Sequence, residues 1–278
     1  MQKLEPEFQD ISVEKVRGYL QQHDEQDYML IDVRQPSEYN QAHIPGAILI
    51  PLGEIPERMA ELETDKDIIF YCRSGNRSRG AAIFVASQPH IAGTVFNMAG
   101  GILAWNGELL ATGPQLRVFD LSGTEHDILY RAMELERGAA EYYLVLSQRY
   151  GDSPWAKTLS ELAAAEKAHA MTIYRAWAEQ QTAPPSFSAV YADLRKDIVE
   201  GGMTIPDLLD RLADDERTLC RDTLEMALSL EYVAYDLSRN MAHHWRGQPL
   251  EAVFQALAEG EKEHILLVAQ ALSLCPES

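Results

Sequence analysis

The stretch DIIFYCRSGNRSRGAAIFVA (residues 67–86) decides the fold of the first half of the chain. Five residues of strand character, Asp67 to Tyr71, run straight into Cys72-Arg73-Ser74-Gly75-Asn76-Arg77-Ser78, and an alanine-rich helical run follows. Strand, tight loop and helix in that order place the loop where unpaired backbone amides collect, and these favour anions and thiolates. A cysteine at the first position of such a loop has a depressed pKa and a larger thiolate fraction. Gly75 permits the tight curl, while Arg73 and Arg77 add positive charge for an anionic substrate. Apolar burial of a structural cysteine would not call for two arginines and a glycine within five residues.

Working outward, Tyr28 to Val33, Ala47 to Ile50 and Thr94 to Asn97 are further β-rich runs separated by helical stretches. Strands interleaved with helices predict an open, largely parallel α/β sheet. Beyond Ser122 the pattern changes. Apolar residues recur at three- and four-residue steps through Ile128, Ala132, Leu135, Ala139, Tyr143, Leu146 and Tyr150, so the second half reads as all α. A chain of 278 residues is long enough for two domains. They are placed at 1–115 and 124–278, joined by a linker at 116–123, with Ser122 or Thr124 to cap the next helix.

Composition narrows the function. The chain carries 24 Lys+Arg against 43 Asp+Glu, a formal charge of −19, and both halves are acidic. That balance argues against nucleic-acid binding, which depends on clustered basic residues. No run reaches the roughly 18 apolar residues of a membrane span, and the N-terminus lacks a secretory h-region, so the expected location is the cytoplasm. The three cysteines suit neither a zinc knuckle nor a disulfide framework. Cys72 reads as a nucleophile; Cys220, on the apolar side of a helix, and Cys275, near the terminus, read as bystanders.

Over residues 8–110 the first half resembles the single-domain rhodanese family of sulfurtransferases. The resemblance rests on Ile31-Asp32-Val33-Arg34 with Glu38-Tyr39, His43-Ile44-Pro45-Gly46-Ala47, the Cys72 loop, and Met98-Ala99-Gly100-Gly101 before Trp105. Ala42 departs from the glycine usual in the family. The resemblance implies ping-pong transfer of sulfur from thiosulfate or a persulfide donor, through a Cys72 persulfide, to a thiol or cyanide. Loop groups from Arg73, Ser74, Gly75, Asn76, Arg77 and Ser78 would hold the anion, with Arg73 and Arg77 orienting a sulfonate. His43, Asp32 and Arg34 are expected to support the fold. A competing use of the fold is Cys-based phosphatase or arsenate reductase chemistry. The related phosphatases place five residues between Cys and Arg, whereas Cys72 and Arg77 enclose four, a loop better sized for sulfur.

The second half contains an ungapped repeat. Glu136, Glu166 and His169 recur as Glu231, Glu261 and His264, each 95 positions on, within similar flanking residues. The acids lie on the apolar stripes of their helices, where carboxylates are costly unless paired, protonated or bound to metal. Glu-x-x-His places both side chains on one helical face, and one Glu from each of the other two helices completes a two-metal carboxylate site.

This pattern resembles the ferritin-like superfamily, nearest to rubrerythrin and bacterioferritin, over about 124–274. It implies a four-helix bundle with helices near 125–150, 154–180, 214–243 and 249–273. Its expected cofactor is two iron ions, or other divalent metals, with Glu166 and Glu261 bridging and Glu136, Glu231, His169 and His264 terminal. Tyr143 matches a tyrosine that many members place beside the site, and also reads as core packing. Ala234 stands where rubrerythrins commonly carry a further Glu, and no rubredoxin-like pair of CxxC motifs occurs. Candidate reactions are reduction of peroxide or oxygen, ferrous oxidation, or oxidation of sulfur delivered by Cys72. An alternative is an iron-storage or sensor module beside a sulfur-carrier domain. The resemblance also favours a homodimer. The long connection from Gln181 to Ala213 is expected to hold short helices such as Val190 to Val199, and to cover the metal site or form an oligomer contact. His126, His243 and His244 are left as surface or helix-end residues.

Overall fold

The computed structural model describes residues 8–151, 153–212 and 219–275. The chain divides into two compact units, Met1–Pro114 and Gln115–Ser278.

In the first unit the elements run β1 (Gln9–Ile11), α1 (Val13–Gln22), β2 (Tyr28–Asp32), α2 (Pro36–Gln41), β3 (Ile48–Leu49), β4 (Asp67–Tyr71), α3 (Asn76–Ala86), β5 (Val95–Met98) and α4 (Gly101–Ala104). The sheet order is β1-β5-β4-β2-β3, and every pairing is parallel. Strand β4 lies at the centre, in register with β2 from Tyr28 opposite Asp67 to Asp32 opposite Tyr71. Alternate residues serve opposite faces. Met29, Ile31, Ile68 and Phe70 pack with Ala81, Ala82 and Val85 of α3, whereas Leu30, Ile69 and Tyr71 pack with Val13 and Val16 of α1. Covering both faces explains why β2 and β4 are apolar throughout instead of alternating. The four anticipated strands are present within a residue or two of their expected bounds. Edge strand β1 adds a fifth, with only three residues and little apolar character.

The polar run after β2 is built into this framework. Asp32 is fully buried and takes paired bonds of 2.6–2.9 Å from Arg34, whose guanidinium also donates to the Ala42 carbonyl at 2.6 Å. His43 is buried, stacks on the Tyr39 ring at 3.9 Å and exchanges backbone hydrogen bonds with Leu110. These contacts suit the supporting roles expected of all three.

The second unit is helical: α5 (Glu125–Arg149), α6 (Ala156–Glu179), α7 (Phe187–Asp193), α8 (Ile205–Leu209), α9 (Leu219–His244) and α10 (Pro249–Ala271). Thr124 caps α5 in a reciprocal box with Asp127. The segment read as a linker contributes a 3-10 turn, Leu116–Val118, and supplies Phe119 to the core. Helix α5 packs along α6, α9 along α10, and α6 meets α10. The expected helix start near 214 lies outside the described residues.

Two apolar clusters divide the interior into levels. One holds Ile128, Ala132 and Leu135 with Ile173, Trp177, Leu237, Met241, Phe254 and Leu257; the other holds Ala139, Tyr143 and Leu146 with Leu159, Leu162, Leu224, Leu230 and Val268. On each long helix the acidic position falls between these levels, so the carboxylates form a polar layer enclosed by apolar ones.

Two expectations about this unit are corrected. The connection is not helical over Val190–Val199: α7 starts after Ser186, which caps it, and ends at Asp193, with Leu194 extended at φ −60° and ψ 140°. The Pro184-Pro185 pair sets the start one turn earlier than apolar periodicity suggests. Cys220 and Cys275 are not bystanders; they form a disulfide with a Cα–Cα distance of 5.6 Å across a separation of 55 residues. Because α9 and α10 pack alongside each other, the beginning of one and the chain just beyond the other meet at the same end. Reduction is expected to lower the stability of this unit by about 2–4 kcal/mol. Urea unfolding with and without a phosphine reductant, beside a Cys220→Ser variant, measures this; identical midpoints in both conditions would contradict it.

Candidate functional site

Cys72 follows the last residue of β4 and is 1% exposed. Its sulfur accepts from the Gly75 amide at 3.2 Å and faces the Ser78 hydroxyl at 3.5 Å. Burial pushes the thiol up, but hydrogen bonds from Ser78, Ser74 and Gly75 outweigh it and hold the pKa below its ordinary value. The single Ser78 proton has a closer acceptor in Asn97 Oδ1 at 2.6 Å, and Asn97 in turn donates to Asp10 at 2.7 Å. The backbone amides are therefore the constant part of the thiolate's support. Helix α3 opens at Gly75 without a side-chain cap, which leaves its first amides free to serve the loop.

The double glycine after β5 acquires a physical reason here. A Cβ on Gly101 would lie 2.3 Å from the Cys72 carbonyl oxygen, and one on Gly75 would lie 3.0 Å from the Gly100 amide nitrogen. Both residues also have positive φ. Close approach lets the Ile102 and Leu103 amides bind the Cys72 and Arg73 carbonyls at 2.8 and 3.1 Å. The loop is thus tied at its base by α4 while its amides point to the sulfur.

The two arginines differ. Arg73 is exposed. Arg77 makes two bonds of 2.7 Å to Glu38, which hold the Glu38 carboxyl down at about 2. The Glu38 carboxylate, with a smaller contribution from the Cys72 sulfur, raises the pKa of Arg77. Of the two cations expected to face an anionic donor, one is exposed and the other is oriented by a carboxylate.

In the second unit all six repeated residues converge. Glu136, Glu166, Glu231, Glu261 and His264 are buried, and the His169 side chain is 14% exposed. Nδ1 of His169 lies 3.1 Å from Glu261, 3.3 Å from Glu136 and 3.4 Å from Glu166. Nδ1 of His264 lies 3.1 Å from both Glu231 and Glu261 and 3.4 Å from Glu166. Glu166 and Glu261 each face both imidazoles, while Glu136 and Glu231 each face one. Burial opposes charge on both histidines, but the surrounding carboxylates outweigh it and raise their pKa. Burial raises Glu136 and Glu231, while the two histidines pull Glu261 below its ordinary value despite its burial.

One ligand atom from each of Glu166, His169, Glu261 and His264 lies within 4.8 Å of the other three. Carboxylate oxygens and imidazole nitrogens at this spacing are the donor chemistry of a transition-metal site. Tyr143 is buried and its hydroxyl donates a short hydrogen bond to Glu231, so this residue borders the site as well as packing in the core. His126 packs 4.9 Å from the Trp177 ring, away from the cluster.

Sequence reasoning missed four contributors. Asn97 and Asp10 support the cysteine loop from neighbouring strands, with no local motif to reveal them. Gly260 makes room for an imidazole: a Cβ there would meet His169 Nε2 at 2.1 Å. A glycine inside a helix beside a candidate ligand was the available signal. The fourth, Glu200, lies in the crossover. It is 8% exposed, and its Oε1 has no hydrogen-bond partner among the described residues.

A parallel sheet whose central strand ends in a buried cysteine, under loop amides and a helix N-terminus, defines the first unit as an α/β domain built around a thiolate-holding loop. The model of the rhodanese-like domain matches residues 15–108. A sulfurtransferase of Allochromatium vinosum is 44% identical over 82 residues, which are 30% of this chain and 75% of that protein. The thiosulfate sulfurtransferase GlpE of Pseudoalteromonas translucida is 35% identical over 98 residues, 35% of this chain and 89% of that one. A rhodanese-like domain protein of Staphylococcus aureus, of known crystal structure, is 24% identical, with 38% of this chain and all of that one covered at a TM-score of 0.34. The chain belongs to the rhodanese-like family. Among the described residues no helix is long and apolar enough to cross a membrane.

Proposed function

We propose that the first unit is a sulfurtransferase that carries sulfane sulfur on Cys72, and that the second unit holds a pair of metal ions for redox chemistry. The observation that carries the first part is the Cys72 sulfur at the base of a loop whose amides lower its pKa. The Cys72 thiolate attacks the outer sulfur of thiosulfate, the sulfur–sulfur bond of the donor breaks, and sulfite leaves with the bonding pair. The amides of Ser74, Gly75 and Ser78 hold the anionic persulfide. Cyanide or a thiolate then attacks the terminal sulfur and releases the Cys72 thiolate. Exposed Arg73 meets the donor's sulfonate, and Arg77, oriented by Glu38, adds charge near the sulfur.

The depressed thiol has a measurable consequence. A lowered pKa means more thiolate at a given pH, so the midpoint of alkylation against pH is expected below the roughly 8.5 of free cysteine. Rates of iodoacetamide modification of Cys72 between pH 5 and 10 test this. A midpoint at or above the free value would mean that burial outweighs the loop.

The convergence of the repeated Glu-x-x-His residues supports a ferritin-like, rubrerythrin-type reading of the second unit. Glu166 and Glu261, each facing both histidines, would hold two iron ions together with Glu136, His169, Glu231 and His264. When bound, the metal pair supplies one-electron redox steps for peroxide or oxygen reduction or ferrous oxidation. The protein's part is to hold the donors in a dry layer and to keep a proton on Tyr143, whose hydroxyl burial and Glu231 both stabilise in the neutral form. Elemental analysis of protein purified from iron-supplied cells, followed by stopped-flow oxidation of the Fe(II)-loaded chain, tests this reading. Fewer than about one metal per chain, with no recovery on anaerobic Fe(II) addition, would remove it.

A further inference from the structure

The crossover between α7 and α9 turns back on itself beside the carboxylate layer. Val199 and Met203 are joined by a backbone hydrogen bond of 3.0 Å, Ile198 bridges Thr204, and Gly202 takes φ 74° at the bend. Glu200 sits at the tip. Two glycines bring this turn close to the long helices. A Cβ on Gly138 of α5 would lie 1.9 Å from the Ile198 carbonyl oxygen, and the Cβ position of Gly201 lies 3.4 Å from Val233 of α9. Gly138 and Val233 each follow a repeated acid by two residues, so the turn is seated at the height of Glu136 and Glu231. The adjoining Val199 is 1% exposed and packs in the cluster that contains Tyr143 and Leu230.

Glu200 therefore enters the interior at the polar layer. Burial and the charges of Glu166, Glu261 and Glu231 oppose its ionisation. A buried carboxylate with an unpartnered oxygen beside other carboxylates needs a proton or a cation. Backbone placement, burial and the orphaned oxygen lead to the same place as the repeated donors.

We propose that Glu200 is a seventh protein donor to the metal pair, delivered by the crossover instead of by a bundle helix. The proposal rests on the metal-binding reading of the second unit. Glu200 has no counterpart in the repeat, so it makes the two metal positions unequal. It adds one negative charge to the four carboxylates of the repeat, which favours the more highly charged state of the pair. Its place on a turn, held down by two glycines, leaves this donor separable from the rest.

Titration of the metal-free full-length protein with Co(II), followed by visible absorption and calorimetry, tests the assignment without any catalytic assay. Wild type is expected to bind two Co(II). Glu200→Gln, which keeps the size and removes the charge, is expected to weaken one of the two by at least about tenfold and to change the absorption band. Gly138→Ala displaces the turn without changing the identity of any donor, and is expected to reproduce that weakening. Wild-type isotherms and spectra in both variants would overturn the proposal and identify Glu200 as a protonated buried acid. Failure of wild type itself to bind Co(II) would instead overturn the metal reading, and this proposal with it.

Discussion

Thiocyanate formation from thiosulfate and cyanide is expected to fall by at least about 10³-fold when Cys72 is replaced by alanine, since the sulfur then has nothing to bond to between the two half-reactions. The effect should lie in the catalytic rate rather than in folding. Cys72 is enclosed by its own loop, and its neighbours are tied by backbone hydrogen bonds from Ile102 and Leu103 that alanine leaves intact. Cys72→Ser separates the contributions further: it retains a small nucleophile in the same amide cradle but cannot form a persulfide. A rate for Cys72→Ala equal to wild type would refute the sulfurtransferase assignment. Mass spectrometry after thiosulfate alone supplies an independent reading, with a gain of one sulfur in wild type and none in either variant.

The second large effect is expected at Glu261. Its two oxygens lie 3.1 Å from His169 and His264, so it joins the two halves of the repeat. Glu261→Ala should reduce metal affinity by more than about 100-fold, because even the loss of an outer-shell partner costs about 10–100-fold. Without metal the same change strips both imidazoles of their shared carboxylate. Breaking a buried charged pair by removing one partner costs about 3–5 kcal/mol. Glu261→Gln separates the two consequences: it restores volume and hydrogen bonding but not charge, so folding should recover further than metal binding. Full metal content in both variants, measured by elemental analysis, would show that the cluster is not a metal site.

What could be read from the residues alone was the chemistry that is local or periodic. Cys72, Gly75 and Ser78 lie within one loop, and the Glu-x-x-His pairs lie within one helical turn, so spacing alone puts their side chains together. The two apolar clusters above and below the carboxylate layer follow from the same periodicity. Contacts that depend on how distant segments pack were not legible. Asp10, Asn97 and Ser78 meet because β1 and β5 are adjacent in the sheet, and β1 was too short to announce itself. Cys220 and Cys275 share no motif; only the side-by-side course of α9 and α10 joins them. Glu200 lies in an aperiodic, glycine-rich stretch, where one acid looks like any other until its burial is known. The charge on Arg77 was legible, but its engagement by Glu38 was not, since 39 residues separate them.

The 95-residue repeat gives experiments on this protein an internal control. Any edit in one helix pair has a twin address in the other, chemically the same substitution in nearly the same surroundings. Glu166 and Glu261 are such twins, as are Ala165 and Gly260, of which only the glycine yields space to a histidine. Paired variants that behave alike report on what the two halves of the repeat share. Pairs that diverge isolate what belongs to one side only, including the Cys220–Cys275 clasp and the turn that carries Glu200.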